Sequence, residues 1–196
     1  MGHLLGHVVH GRDGAVVAAG SERAGSTLIG RDLGDVLGLE TLGVPVTGDA
    51  AALFADSDVV VDFTAPASTM HHARLAAETG KGLVVGTTGL SADEKAELAR
   101  AGEHAPIVFA ANMSLGVNLL LGVTRKVAAA LDEDFDIEIV EMHHRHKVDA
   151  PSGTALALAE AAAAGRGVHL DDVADRGRDG MTGARERGAI GMAALR

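Results

Sequence analysis

The stretch "VVVDFTAP", Val59–Pro66, decides the fold class, because a continuous apolar run gives way there to a polar segment. Runs of this kind are typical of strands that lie buried in a parallel sheet. The residues from about Thr69 to Thr79 then favour a helix. The stretch therefore predicts a strand followed by a helix, which is the repeating unit of α/β domains.

The same alternation continues on the C-terminal side of this stretch. "GLVVGTTG" predicts a strand that ends in a glycine loop, and "PIVFAAN" predicts another strand from Ile107 to Ala111. Between them, Ser91 and Glu94 have the spacing of a capping box, which predicts a helix reaching about His104. A further helix is predicted from about Val117 to Leu131.

The N-terminal side adds a helical pattern and one more strand. "HLLGHVVH" predicts a helix whose polar face carries the histidines His3, His7 and His10. "AVVAAGSE" predicts a strand from Ala15 to Ser21, and the glycine-rich segment from Ala24 to Pro45 predicts mostly loop. Strands that alternate with helices in this way predict a Rossmann-like, doubly wound parallel sheet.

A different pattern begins at "FDIEIVEMH", the segment that starts at Phe135. Apolar and polar residues alternate there, which predicts a strand in a sheet with one wetter face. The change favours a domain boundary between Ser114 and Asp134, and we divide the chain into residues 1–114 and 115–196. The first is predicted to be a dinucleotide-binding domain and the second an α+β domain.

The composition excludes several classes of protein. The 196 residues carry a formal charge of −10 and include no Cys, Tyr or Trp. Without cysteine there are no disulfides and no thiolate metal sites. An acidic chain with few aromatic residues is poorly suited to nucleic acid, which is bound through basic surfaces and stacking side chains. No apolar run approaches a membrane span and no signal peptide is evident, so the sequence predicts a cytoplasmic protein.

Polar residues at the predicted strand ends favour a cofactor site, because ligands of doubly wound sheets bind beyond the carboxyl ends of the strands. Glu22 could accept hydrogen bonds from the adenosine ribose, and Arg23 could pair with a 2′-phosphate, which together suggest either NADH or NADPH. A charged turn is the alternative. In "GTTG", Gly86 and Gly89 would allow close approach of a ligand, with hydroxyls from Thr87 and Thr88. A tight strand-to-helix connection is the alternative there.

The segment "EMHHRHKVDAPSGTA", Glu141–Ala155, concentrates histidines and basic side chains. A metal site is disfavoured, because no carboxylate or cysteine has a recognised ligand spacing. A solvated polar loop remains an alternative. An anion site with a proton donor is favoured, because a histidine can deliver a proton, Lys147 carries positive charge, and a helix predicted after "PSGT" offers free N–H groups. Such a site suits a small dicarboxylate. The pair His71 and His72, near a helix start, has an ordinary structural explanation.

The motifs resemble one family throughout. "EMHHRHKVDAPSGTA" is similar to the characteristic motif of 4-hydroxy-tetrahydrodipicolinate reductase (dihydrodipicolinate reductase), an enzyme family of diaminopimelate and lysine synthesis. "SERAGSTLIGRD", "VVVDFTAP", "VVGTTG" and "IVFAANMSLGVN" resemble the same family in the same order. The resemblance covers nearly the whole chain. It implies a reductase that transfers hydride from NADPH or NADH to a cyclic substrate and releases water.

The resemblance also implies a role for individual residues. His143 would be the proton donor, Lys147 a second donor that also holds a carboxylate, and His144 a substrate contact. Gly153 and Thr154 would bind a carboxylate at the helix start. The implied cofactor-binding residues are Glu22 and Arg23 at the ribose, and Gly86, Thr87, Thr88, Ala110, Ala111, Asn112 and Met113 near the nicotinamide. No metal is implied.

Two departures from the family pattern carry further expectations. The first strand and the glycine-rich phosphate loop are absent, and "RERGAIGMAALR" resembles a strand in the middle of the second domain. The resemblance therefore implies a chain shortened at both ends, with a partial substrate-binding and tetramerisation domain. A chain without the phosphate loop and late strands is expected to bind cofactor poorly and to be inactive or prone to aggregation. The family is homotetrameric, through the sheet of the second domain.

Two other functions stay open at the level of the sequence. One is a different NAD(P)-dependent oxidoreductase of similar fold, such as an aspartate dehydrogenase-like enzyme, against which the histidine motif argues. The other is a protein that keeps the fold and binds ligand without turnover. Substitution of Lys147 separates an enzyme from a binder, because only an enzyme has a reduction to lose.

Overall fold

The computed structural model describes residues 1–196 and divides by its contacts into two compact units, Met1–Ala110 and Ala111–Arg196. The first unit contains α1 (Gly2–His10), β1 (Gly20–Ser21), α2 (Leu33–Leu37), β2 (Val46–Thr47), α3 (Ala50–Asp56), β3 (Val59–Asp62), α4 (Pro66–Thr79), β4 (Gly82–Val85), α5 (Ala92–Ala101) and β5 (Ile107–Phe109). The second contains α6 (Leu115–Ala130), β6 (Ile137–Met142), α7 (Gly153–Arg166), α8 (Leu170–Val173), β7 (Ala174–Asp175) and β8 (Ile190–Leu195). The functional division into residues 1–114 and 115–196 stays a prediction.

Three parallel strands form the centre of the first unit, in the order β3-β4-β5. Their register pairs Asp62 with Val85 and Val85 with Phe109. The helices α4 and α5 connect these strands, so the unit repeats strand and helix as the sequence predicted. A second parallel pair, β1 with β2, joins Gly20 to Val46 and Ser21 to Thr47. The α/β fold class with parallel sheets is therefore confirmed.

The core of the first unit explains why the apolar run at Val59 becomes a strand. Val60 is buried together with Leu83 and Val85 of β4 and Phe54 of α3. The capping box of α5 is confirmed: Ser91 Oγ accepts the Glu94 N–H at 3.2 Å, and Glu94 Oε2 accepts the Ser91 N–H at 2.7 Å. The capping box depends on two residues close in sequence, and the strand shows as a continuous apolar run, which is why both could be predicted.

The N-terminal strand is shorter than the sequence predicted. Of the segment Ala15–Ser21 only Gly20 and Ser21 pair with another strand, and Val16 is 80% exposed. A strand needs a partner edge as well as an apolar pattern, and β2 supplies one over two residues only.

The predicted loop from Ala24 to Pro45 contains the short helix α2, which the glycine content concealed. Asp32 caps it, because its Oδ1 accepts the Gly34 N–H at 2.8 Å. The same carboxylate also accepts the N–H groups of Leu42 at 2.9 Å and Val44 at 3.1 Å. The Asp32 side chain thus both caps α2 and fixes the residues that follow the helix.

In the second unit, α7 packs against a three-stranded parallel sheet of order β6-β8-β7, and α6 packs against α7. Ile190, Met192 and four buried alanines form the core of this unit: Ala128, Ala159, Ala162 and Ala163. Small side chains let the two helices approach closely. At Gly165 of α7, an added Cβ would lie 2.4 Å from the Arg125 carbonyl oxygen and 2.9 Å from Ala128 Cβ.

We expect Gly165→Ala to destabilise the protein by about 1–3 kcal/mol, because the new methyl group forces the backbone of α6 away. Gly122→Ala is the matched control: an added Cβ there meets nothing within 4 Å, so better helix propensity should stabilise by about 0.5–1 kcal/mol. Urea unfolding followed by circular dichroism measures both changes. Equal effects of the two substitutions would contradict the close α6–α7 contact.

Candidate active site

The carboxyl ends of β3, β4 and β5 lie side by side in the first unit. The Gly86 N–H donates to the Asp62 carbonyl at 2.8 Å, and the Ala110 N–H donates to the Val85 carbonyl at 3.2 Å. The parallel ladder therefore continues one residue past β4 and β5. It brings Gly86 and Ala110, both predicted to bind cofactor, to one edge of the sheet.

Glu22 and Arg23 follow directly on β1. The Glu22 N–H extends the pairing with β2 by donating to the Thr47 carbonyl at 3.0 Å. Both side chains are exposed, and the Glu22 carboxylate accepts only the neighbouring backbone N–H of Arg23, at 3.3 Å. A carboxylate and a guanidinium without ion-pair partners, beside the end of a parallel strand, fit the ribose and 2′-phosphate of a dinucleotide.

In the loop Gly86–Thr88, only one of the two threonine hydroxyls that the sequence predicted to be available to a ligand is exposed. Thr87 is 3% exposed, and its hydroxyl is engaged with Asp62 and Thr64, so only the exposed Thr88 can offer a hydroxyl to a ligand. A Cβ at Gly86 would lie 2.2 Å from the Phe63 ring. Packing against Phe63 thus requires glycine here, whether or not a ligand approaches.

The remaining predicted cofactor residues, Ala111, Asn112 and Met113, lie at the start of the second unit. Asn112 Nδ2 donates to the Thr154 hydroxyl at 3.2 Å, and Asn112 Oδ1 accepts the Ser114 N–H at 2.9 Å. Asn118 Nδ2 in turn donates to the Asn112 carbonyl at 2.9 Å. Asn112 therefore contacts a residue predicted to bind substrate, a link that separation in sequence concealed.

The histidine motif begins at the end of β6, where Glu141 holds two elements together. Glu141 Oε1 accepts the Ser152 N–H at 3.0 Å, at the point where α7 begins. Glu141 Oε2 lies 3.1 Å from His143 Nδ1, which is ion-pairing distance, although the two atoms do not have hydrogen-bond geometry. The Glu141 side chain is 9% exposed and that of His143 is 35% exposed. His143 is therefore supported on its Nδ1 side by a buried carboxylate.

The other basic residues of the motif form a turn. The Lys147 N–H donates to the His144 carbonyl at 3.1 Å, and Lys147 Nζ lies 2.7 Å from Asp149 Oδ1. The bond with Lys147 is the largest effect on the pKa of Asp149, which lies below its usual value. His144 and His146 are exposed, with ring centroids 6.0 Å apart. The motif thus presents Lys147 and His144 near one another, with Asp149 as the present partner of Lys147.

The start of α7 has the free donors that the sequence predicted. Ser152 is buried, and its Oγ caps the helix by accepting the Ala155 N–H at 3.2 Å. The backbone N–H groups of Gly153 and Thr154 have no acceptor within the chain. Unpaired N–H groups at the positive end of a helix of 14 residues suit a carboxylate.

The structure contains no group of three side chains suited to holding a metal ion. None of its helices combines the length and the apolar character needed to cross a membrane.

The fold and the sites define a two-unit α/β protein with strand-end residues suited to a dinucleotide and a histidine-rich turn suited to an anion. Residues 1–113 match the family model described as dihydrodipicolinate reductase, N-terminus, and residues 116–196 match that of the C-terminus. The chain belongs to the dihydrodipicolinate reductase family. The resemblance read from the sequence is therefore confirmed.

Individual relatives agree with this assignment. The chain is 58% identical to the 4-hydroxy-tetrahydrodipicolinate reductase of Ruegeria pomeroyi and 57% identical to that of Dinoroseobacter shibae, over all of this chain and 73% of each relative. A solved structure, dipicolinate-bound dihydrodipicolinate reductase from Paenisporosarcina sp. TG-14, matches with a TM-score of 0.63 at 27% identity. That match covers 96% of this chain and 72% of the other.

Glu141 makes the stability of the second unit depend on pH. Hydrogen bonding by the Ser152 side chain is the largest effect on its pKa; burial acts in the opposite direction, and the Ser152 N–H and His143 add to the lowering below 4.5. A carboxyl group whose pKa is lowered by folding stabilises the protein above its unfolded value, and this stabilisation is lost as the pH falls through the folded value.

We therefore expect Glu141→Gln to lower the free energy of unfolding at neutral pH and to have progressively less effect as the pH falls below about 4.5. Urea unfolding at a series of pH values measures this. The control is Glu160→Gln, which removes the same charge from an exposed position on α7. A loss that does not change with pH, or an equal loss in the control, would contradict the role of the Glu141 charge.

Proposed function

We propose that this chain carries the cofactor and substrate sites of an NAD(P)H-dependent reductase that converts 4-hydroxy-tetrahydrodipicolinate to tetrahydrodipicolinate, in the diaminopimelate route to lysine. The net reaction consumes one hydride and one proton and releases water. The observation that carries the proposal is the turn after β6. It combines His143 on a buried carboxylate, Lys147, and the unpaired N–H groups of Gly153 and Thr154 in one unit.

His143 is proposed as the proton donor. Its Nδ1 faces the Glu141 carboxylate, so Nε2 is the nitrogen left for the substrate. Glu141 is in turn fixed by the Ser152 N–H, which ties the proton donor to the start of α7. The residue that delivers the proton and the donors that bind carboxylate are therefore held to the same rigid element.

The two carboxylates of the substrate have two proposed partners. The N–H groups of Gly153 and Thr154 would bind one carboxylate at the start of α7, and Asn112 fixes the Thr154 side chain beside them. Lys147 would exchange Asp149 for the other carboxylate, since the Asp149 side chain is 57% exposed and ion pairs open to solvent contribute little free energy. His144, exposed on the same turn, would contact the substrate.

NADPH or NADH supplies the hydride when it is bound. Glu22 and Arg23 would hold its adenosine ribose, and the strand ends Gly86–Thr88 and Ala110–Met113 its nicotinamide side. Within this set, Thr88 offers a side-chain hydroxyl, whereas Gly86, Thr87 and Ala110 offer backbone groups. The free Arg23 guanidinium favours a 2′-phosphate, and the Glu22 carboxylate favours the 2′-hydroxyl of NADH.

Assembly into a homotetramer through the sheet of the second unit is also proposed. On β6, Val140 is 67% exposed and Met142 is 77% exposed, and large apolar side chains at such positions favour contact with another subunit. Cytoplasmic localisation stays a prediction.

The reductase assignment predicts that Lys147→Ala lowers kcat/KM by about 100–10,000-fold, the range for removing a proton donor or its equivalent. The assay follows loss of NADPH absorbance with freshly generated 4-hydroxy-tetrahydrodipicolinate. It uses this chain and a form extended at both ends to the length of the relatives. Lys126→Ala, an exposed lysine on α6 that makes no ion pair, should behave like the unaltered protein.

Turnover that is lost in Lys147→Ala and kept in Lys126→Ala supports the reductase. Folded, NADPH-binding protein without turnover would overturn the substrate assignment and favour another oxidoreductase or a ligand-binding protein.

The roles of Glu22 and Arg23 predict a change in cofactor preference. Arg23→Ala should weaken NADPH binding by about 10–100-fold and leave NADH binding nearly unchanged, because a charge-assisted hydrogen bond to the 2′-phosphate is lost. Glu22→Gln should weaken NADH binding more than NADPH binding. Isothermal titration calorimetry measures both, with Arg100→Ala, exposed on α5, as control. Equal effects of Arg23→Ala on the two cofactors would contradict contact with the 2′-phosphate.

A further inference from the structure

A buried carboxylate lies beneath the proposed cofactor loop and has no role in the proposed reaction. Asp62, the last residue of β3, is 1% exposed. Removing a carboxylate from water costs several kcal/mol unless its oxygens receive hydrogen bonds or face a positive charge. The hydrogen-bond partners of Asp62 therefore show which parts of the chain the carboxylate connects.

Asp62 reaches three separate segments of the chain. Its Oδ1 accepts the Thr64 N–H at 3.0 Å, the Thr64 hydroxyl at 2.6 Å and the Thr87 hydroxyl at 3.3 Å. Its Oδ2 lies 3.0 Å from Nδ1 of His72, a buried residue of α4. The Thr87 hydroxyl also accepts the Thr64 N–H at 3.0 Å. We call these four residues, Asp62, Thr64, His72 and Thr87, the strand-end bridge.

The strand-end bridge lies where backbone pairing between β3 and β4 stops. The last paired residues are Asp62 and Val85, and the last backbone hydrogen bond runs from Gly86 to the Asp62 carbonyl. Beyond that point, every hydrogen bond of the strand-end bridge involves at least one side chain. A carboxylate that merely fixed α4 to the sheet would need His72 alone, whereas three of the four contacts go to Thr64 and Thr87.

The bridge also determines which groups the loop presents. Because the Thr87 hydroxyl is turned inward, the loop exposes Thr88 and its own backbone. His72 faces the carboxylate from the side of α4, where its ring lies 6.1 Å, centroid to centroid, from the Phe54 ring. The pKa of Asp62 lies below its usual value: burial, the largest single effect, raises it, and the hydrogen bonds from His72 and Thr64 are among the effects that lower it.

We propose that Asp62 and His72 are positioning residues for cofactor binding: through Thr87 they fix the loop Gly86–Thr88 in the conformation that receives the nicotinamide side of NADPH or NADH. This inference rests on the proposed cofactor site. It adds two residues that contact neither cofactor nor substrate, and it assigns the Thr87 hydroxyl an internal role.

The test is titration of the ¹⁵N-labelled chain with NADPH, with the dissociation constant taken from the amide shifts of Thr88 and Gly89. Asp62→Asn and Thr87→Val should each weaken binding by about tenfold or more, as expected for loss of a hydrogen bond to a charged group that orders the site. Thr87→Ser, which keeps the hydroxyl, should restore binding. Thr79→Val is the matched control, because it removes an exposed threonine hydroxyl that donates to the Leu75 carbonyl at 2.7 Å in the same unit.

The outcomes separate this inference from the function on which it rests. Binding to the unaltered chain that falls in Thr87→Val and recovers in Thr87→Ser supports the positioning role, even if Asp62→Asn does not fold. Binding that is unchanged in folded Asp62→Asn and Thr87→Val, whatever their loss of melting temperature, overturns it and leaves a purely structural ion pair. No amide shift at millimolar NADPH in the unaltered chain overturns the cofactor site itself, and the positioning role with it.

Discussion

Parallel pairing ends at a common edge, and both proposed sites depend on the residues immediately beyond such an edge. In the first unit the register of Asp62 with Val85 and of Val85 with Phe109 brings three strand ends together. Backbone hydrogen bonds between strands do not fix the conformation of the residues after the last pair. Contacts that involve side chains must fix it instead. Carboxylate side chains fix these residues, because one carboxylate can accept hydrogen bonds from several N–H and O–H groups at once.

The second unit meets the same constraint between a strand and a helix. Glu141 stands at the end of β6 and accepts the N–H of Ser152, the residue that caps α7. This hydrogen bond joins the two ends of the turn that carries the histidines and Lys147. The ends of this turn are fixed while His144 and His146 are exposed and His143 and Lys147 are partly exposed, so a short segment presents several basic side chains.

Local signals in the sequence predicted the elements that local contacts determine. The capping box of Ser91 and the free helix start at Gly153 depend on neighbours within a few residues, the strand at Val59 shows as a continuous apolar run, and all three are present in the structure. The strand predicted from Ala15 was too long, because its pairing partner β2 is distant in sequence and two residues long. The helix α2 was missed because Asp32 stabilises it together with Leu42 and Val44, which come after the helix. The residues proposed to form the sites obey the same rule. Composition and motif indicated His143, Lys147, Glu22 and Arg23, since exposed charged groups stand out against an apolar pattern. They contained no sign of Asp62, whose contact with Thr87 spans 25 residues of chain, nor of the bond between Asn112 and Thr154, which are 42 residues apart.

Each unit contains a carboxylate beside a histidine ring, and the two histidines differ in how far they are exposed. Asp62 with His72 and Glu141 with His143 each place a carboxylate oxygen close to an imidazole Nδ1, at 3.0 and 3.1 Å. The His72 side chain is 10% exposed and lies near Phe54, so its ring is largely covered and serves to orient its carboxylate partner. The His143 side chain is 35% exposed, so the same carboxylate support leaves a ring nitrogen able to exchange a proton with a bound molecule. A histidine beside a buried carboxylate is therefore a positioning group or a proton donor according to what covers its far side, and the sequence of the pair alone does not distinguish the two.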